Sequence, residues 1–390
     1  MSNADIRAVR WLQLSHLIID CYPGFIAPML PFITAKIGVE MSAAMIIISV
    51  ANISSYLLQP IFGYFADKCR KRFFIFWGII IASVFIPMMS LAQSFATLTI
   101  AIVLGEIGVG FFHPQSTSFV PKFCKTTEQS KWDMGCFLSM GSVGYGIGAL
   151  VSTNLYDHFG AESLIYTSIV GILTAFSMFL FVPKVSADFS EKKEVPPVFE
   201  CFYEIFSNSL ERILVFSSIV KSIIVSSFTM IMPFYWKSID LNAGKIGLIS
   251  CIFLTTSTIG MIASPKIEKY IGSRNVFYVS FLSILPLALA MMFFIKINFA
   301  IAITFYGLIG FFIFITQPVN VVMSQKILPK YQSLISGVVG GFTWGIVGVM
   351  LPVISKFTEY TGILNGLLII SLIPIVMCIW VKEIPKRQED

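Results

Sequence analysis

The chain has 390 residues, of which 56% are hydrophobic and 12% charged, with a mean hydropathy of +0.84 and a formal charge of +6. A soluble globular chain carries roughly a quarter charged residues; this one has too little polar surface to enclose its apolar content in water, which excludes a water-soluble domain and leaves lipid as the solvent. The basic excess is scattered among polar breaks without a stripe of interleaved aromatics, which excludes nucleic acid as a partner, and seven cysteines without ligand spacing predict neither a disulfide framework nor a metal.

Apolar runs of about 20 residues recur through the whole length without period-two alternation, so they read as membrane helices and not as barrel strands. The predicted spans are 11–33, 42–66, 73–93, 95–120, 134–156, 161–183, 212–235, 244–264, 275–295, 299–323, 333–355 and 361–381, twelve in all. The first is long, contains Asp20 and lacks a small-x-small cleavage site, so it is expected to stay in the membrane.

Span one carries Ser15-His16-Leu17-Ile18-Ile19-Asp20, in which His16 and Asp20 are four apart and share a helix face. Span two carries Ser54-Ser55-Tyr56-Leu57-Leu58-Gln59-Pro60 and leads into Gly63-Tyr64-Phe65-Ala66-Asp67-Lys68-Cys69-Arg70-Lys71-Arg72. There Gly63 is expected to allow close helix approach, and Asp67 at a helix end can pair with basic residues, Lys68, Arg70 and Arg72 being at hand, to hold a cytoplasmic gate shut; the plainer reading is a merely basic inside loop. Span four holds Glu106 and, seven residues on and therefore on the same face, His113, within Phe112-His113-Pro114-Gln115-Ser116. Pro114 is expected to kink the helix and free a backbone carbonyl for a ligand. The glycines of span five, Gly141, Gly144, Gly146 and Gly148, favour close packing.

The longest polar segment, 184–211, contains Lys192, Lys193, Glu194, Pro196 and Pro197 and divides six spans from six. Its later part has Phe199, Phe202, Ile205 and Phe206 at helical spacing, which fits either an amphipathic helix on the cytoplasmic face or a solvated tether. Within span seven, Lys221 either faces an acid of the first half and binds an anionic solute, or snorkels to the interface. Glu268-Lys269 follows span eight and Gln317-Pro318 lies in span ten.

The loops sharing a side with both termini hold 21 lysines and arginines against five on the other side, so the positive-inside rule puts both termini in the cytoplasm. The halves repeat at an offset near 201–204 residues: Asp67-Lys68 answers to Glu268-Lys269 and Pro114 to Pro318, and the glycines 141–148 answer to those at 340–348, 199–200 residues on. This predicts an all-α membrane protein of two pseudo-symmetric six-helix bundles, 1–183 and 212–390, joined by a linker at 184–211.

Ionisable groups at membrane depth persist mainly for function. Asp20 is the first candidate for a proton carrier, with Glu106 and His16 beside it; Lys221, His113, Gln115, Gln59 and Gln317 are candidates for solute binding. The plainer reading of either acid is a helix-to-helix hydrogen bond that never titrates.

The loop after span two resembles the signature of the major facilitator superfamily, Gly-x-x-x-Asp-basic-x-Gly-Arg-basic, with Arg70 where the pattern has its second glycine. The motifs of spans one, two and four, together with Lys221, Ser324-Gln325-Lys326-Ile327-Leu328-Pro329 and Ser336-Gly337-Val338-Val339-Gly340, resemble the fosmidomycin-resistance group of that superfamily across both halves. The likeness departs at Gln115, where that group has Glu, and at Ala149, where proton antiporters often have Pro. The resemblance implies proton-driven export of a small anionic or amphipathic compound or drug across the cytoplasmic membrane. Separately, a monomer is expected and no cofactor. Uptake by symport and solute sensing without flux are the alternatives. A membrane enzyme finds little support, since no His-Glu-x-x-His or Gly-x-Ser-x-Gly occurs; no Walker lysine motif marks an ATP-driven pump, and no ring of like residues marks a channel.

Overall fold

The computed structural model describes residues 3–59, 61, 62, 65, 72–183, 198–328, 335 and 337–386. These residues are almost all helical, with no strand among them, because a backbone in lipid has to satisfy its polar groups within each segment. Among the described residues, eleven helices are long and apolar enough to cross a bilayer: Asp5–Ile37, Phe73–Leu91, Phe95–Phe123, Trp132–Phe159, Ala161–Phe181, Ser209–Ser238, Ala243–Ile271, Ser273–Ile295, Phe299–Ile327, Val338–Thr361 and Ile363–Val381. The shorter apolar helix Met41–Leu57 takes the place of predicted span two, giving the expected twelve.

Several helices run beyond their apolar cores. The first begins at Asn3, eight residues before its predicted start, and the eighth continues to Ile271. Helical hydrogen bonding does not stop where hydrophobicity does; it stops where a left-handed glycine turns the chain. Gly38, Gly160, Gly272 and Gly362, with φ of 71°, 80°, 81° and 83°, close spans one, five, eight and eleven. Gly160 and Gly362 end the fifth helix of each half.

The repeat reappears in the anchoring of helix ends. Arg72, at the start of span three, donates to the carbonyls of Val182 and, at 3.4 Å, Met178 at the end of span six. In the second half, Arg274 Nε donates to Ile384 O at 2.6 Å at the end of span twelve. Both contacts link residues 110 apart in sequence.

By contact the chain divides into two compact units, Met1–Asp188 with Pro233–Cys251, and Phe189–Met232 with Ile252–Asp390. In the first unit, spans one and five pack backbone to backbone. A Cβ on Gly144 would run into the Leu17 carbonyl, and one on Gly148 into that of Cys21. Glycine is therefore required there by close approach. Pro233–Cys251 joins this unit through Gly244 N donating to Asp157 Oδ2 at 2.6 Å, with Lys237 Nζ 5.5 Å above the Phe32 ring.

The second unit is organised around span seven. Tyr306 Oη donates to Phe228 O at 2.9 Å and Asn320 Nδ2 to Leu214 O at 2.9 Å, so buried side chains find backbone acceptors across helices. Residues Val198–Ser207 form a helix, which decides the linker's later part in favour of helix over tether. Its Ile205 is buried among Val215, Leu328, Ile335, Val338 and Val339, while Tyr203 and Phe206 are exposed. Residues 184–197 lie outside the described residues. The glycine-rich start of span eleven departs from its counterpart in span five: Val338–Phe342 is a π-helical turn, and among the described residues nothing lies within 4 Å of the Cβ positions of Gly340 and Gly341.

Candidate functional site

Span one presents His16 and Asp20 on one face, as the four-residue spacing requires, and span four brings His113 against them. Asp20 is the hub. Its Oδ2 lies 3.2 Å from His16 Nε2, its Oδ1 lies 3.4 Å from His113 Nε2, and the two Nε2 atoms are 3.3 Å apart. Each ring is fixed from behind by a backbone carbonyl. His16 Nδ1 donates to Phe137 O at 2.7 Å, and His113 Nδ1 donates to Val109 O at 2.8 Å.

A carbonyl only accepts, so both Nδ1 atoms carry hydrogen, and a neutral ring then turns a bare lone pair at Nε2 toward Asp20. Three acceptors thus converge on one small volume. The arrangement is repulsive until a positive charge lies among them. Asp20 Oδ1 has no hydrogen-bond partner of its own. His16 stacks on the Phe137 ring with centroids 4.0 Å apart and is 3% exposed, whereas the side chains of Asp20 and His113 keep 15% and 27% of their surface open, so access is from the His113 side. Gly141 closes the other side: a Cβ there would sit 2.5 Å from His16 Nε2 and 2.6 Å from Asp20 Oδ2.

Glu106 is buried on span four within electrostatic reach of Asp20 and His113, with the Ser55 hydroxyl beside it. The two faces expected from spacing, His16 with Asp20 and His113 with Glu106, therefore regroup. Both histidines turn to Asp20, because span four meets span one through the His113 end of its face.

Lys221 is fully buried within the second unit instead of snorkelling outward. Its Nζ donates to Gln317 Oε1 and lies 5.7 Å from the Phe314 ring and 5.5 Å from the Trp344 ring. An amide oxygen and two ring faces offset the few kcal/mol that a buried ammonium costs. The structure thus joins two of the predicted solute-binding residues. Gln115 has another occupation: it is 2% exposed, and its Oε1 accepts from Ile75 N at 2.9 Å, satisfying a first-turn amide of span three. Gln59 is half-buried beyond the π-helical turn Ile53–Leu57.

Of the predicted gate, Gly63, Asp67, Lys68 and Arg70 lie outside the described residues. Arg72 is committed to span six, with its guanidinium 5.2 Å from the Phe179 ring. Glu268 Oε1 accepts from Ser273 Oγ at 2.6 Å, and Lys269 is exposed. Sequence reading missed Glu211, which is fully buried near Ser324 with neither carboxylate oxygen hydrogen-bonded. It lies one residue before the predicted start of span seven, and its only signal was the apolar run that follows it.

A profile of the Major Facilitator Superfamily matches residues 14–384. The chain is 21% identical to the fosmidomycin resistance protein of Escherichia coli K12 over 388 residues, covering 97% of this chain and 93% of that protein. It is 24% identical to the multidrug resistance protein MdtG of Klebsiella pneumoniae 342 over 288 residues, 70% of this chain and 68% of MdtG. Among solved structures, the nucleoside transporter NupG superposes with a TM-score of 0.77 at 13% identity, covering 98% of each chain. A POT family transporter in complex with 5-aminolevulinic acid gives 0.76 at 14% identity over 97% of this chain and 96% of that one. With twelve apolar helices and a family match over nearly its whole length, the chain is an integral membrane transporter that belongs to the Major Facilitator Superfamily.

Proposed function

We propose that the chain is a proton-coupled secondary transporter that exports a small anionic or amphipathic solute by alternating access. The observation that carries this reading is the Asp20 cluster, three acceptors held by rigid helices around a space that demands a positive charge. Asp20 and its two histidines hold the coupling proton, and Glu106, buried on the same side, is the next stage for it. Lys221, supported by Gln317, supplies the charge that recognises an anionic solute. Export is favoured by relatives named for fosmidomycin resistance and multidrug resistance. The positive-inside count favours both termini in the cytoplasm of the inner membrane, and two six-helix halves, 1–183 and 212–390, are the rocking bodies of a monomer.

The test is flux in vesicles containing the purified chain. Binders are first found by thermal shift among phosphonates, other organic anions and amphipathic cations, since a ligand stabilises the folded carrier. A proton gradient is then imposed. Movement of solute against the proton flow is expected; movement with the protons assigns uptake by symport, and binding without counterflow assigns a sensor.

A further inference from the structure

The Asp20 cluster has the geometry of a metal site as well as that of a proton site. We infer that His16 Nε2, His113 Nε2 and Asp20 together bind one divalent transition-metal ion of the Zn²⁺ class. The three residues each offer one ligand atom, all within 4.8 Å of one another.

The spacing fits a shared ion. A charge-assisted N–H···O bond contracts to about 2.7–2.9 Å, whereas the nitrogen–oxygen distances here are 3.2 and 3.4 Å. An ion about 2.1 Å from each nitrogen, at their 3.3 Å separation, subtends an angle of about 104°, close to the tetrahedral value that Zn²⁺ adopts. Both Nδ1 hydrogens are already donated to the carbonyls of Phe137 and Val109. That is the outer-shell arrangement of metal-binding histidines, which fixes the ring and leaves Nε2 as the ligand.

One further observation points to an occupant. Asp20 Oδ1 is buried with His113 Nε2 3.4 Å away but without a hydrogen bond of ordinary geometry. Two imidazoles and one carboxylate suit Zn²⁺, Co²⁺ or Ni²⁺ and disfavour Mg²⁺, which prefers oxygen ligands and its own waters. The open side at His113 leaves a fourth position for water or for a group of the solute. Sequence spacing did not reveal the site because His16 and His113 lie 97 residues apart. The ion and the coupling proton occupy the same space and exclude one another, but ion binding is measured without flux and does not depend on the transport reading.

The experiment is a Co²⁺ titration of the purified full chain, free of any polyhistidine tag and followed in the visible range. The expected result is a d–d absorption of four-coordinate intensity that saturates near one ion per chain, is displaced by Zn²⁺ and ignores Mg²⁺. Asp20→Asn and His113→Ala weaken binding more than roughly tenfold, and His158→Ala, which removes the third histidine of the chain, leaves it unchanged. The side chain of His113 is part exposed, so its loss leaves the packed side of the cluster intact. No absorption in the unaltered chain, or an absorption that survives both Asp20→Asn and His113→Ala, overturns the inference. Solute flux without a Co²⁺ band overturns it too and leaves the carrier reading standing.

Discussion

The Asp20 cluster of the first half and the Lys221 site of the second are built to opposite rules. In the first, one carboxylate and two imidazoles crowd together and want a cation. In the second, a single ammonium is wrapped by an amide oxygen and two aromatic rings and is satisfied as it stands. The scaffolds around them are alike, down to the Arg72 and Arg274 anchors and the left-handed glycines after the fifth helix of each half. The repeat conserves helix ends and leaves interiors free to diverge, because an end needs only hydrogen bonds to close while an interior side chain answers to its own partners. A frustrated site is suited to exchanging its occupant, and a satisfied one to holding a fixed charge toward a solute.

The largest effect should come from Asp20→Asn, which removes the charge around which the first site is assembled. Gradient-driven solute movement is expected to fall about a hundredfold in vesicles, the scale of a lost proton-transfer group, while thermal-shift binding of the solute persists. Unchanged flux would take Asp20 out of the mechanism.

Next comes the paired substitution Gly141→Ala and Gly340→Ala. At Gly141 the methyl group collides with His16 and Asp20, at a cost of about 1–3 kcal/mol. At Gly340 it enters open space, and the gain over glycine in a helix is about 0.5–1 kcal/mol. Opposite signs in thermal melting sharpen the contrast between spans five and eleven; equal losses would break it.

Lys221→Met keeps the bulk of the side chain and removes its charge. It is expected to raise the KM for an anionic solute about tenfold, or about 1.4 kcal/mol, with smaller effects on a neutral one. An unaltered preference between the two would restrict Lys221 to packing.

The smallest effects test the likeness of the scaffolds. Arg72→Ala and Arg274→Ala each remove a charged donor from helix-end carbonyls and should each lower stability by about 1 kcal/mol. A loss confined to one of them would show that the helix ends have diverged as well.

Much of this fold was legible because the solvent imposes it. The apolar runs, the repeat offset and the asymmetry of Lys and Arg gave the span count and the two-half plan, and Asp20 and Lys221 stood out as charges that lipid tolerates poorly. His16, Asp20, His113, Lys221 and Gln317 each stood out singly in the sequence, but which of them meet did not. Spacing gave His113 to Glu106 and offered Gln115 to the solute, whereas in the fold His113 turns to Asp20 and Gln115 caps span three at Ile75. Glu211 was hidden by lying at the edge of an apolar run.

Composition and the pattern of apolar runs thus placed this chain in lipid as helices, since only helices and closed barrels satisfy a backbone there and the runs lack a strand's alternation, and the internal repeat added two related halves. Which buried groups meet was decided by tertiary structure. Helical periodicity determines what shares a face within one helix and is silent on which face of a neighbour it will meet; that choice fell to contacts such as Gly144 on Leu17 and Gly148 on Cys21, which press span five onto span one and set Gly141 against His16 and Asp20.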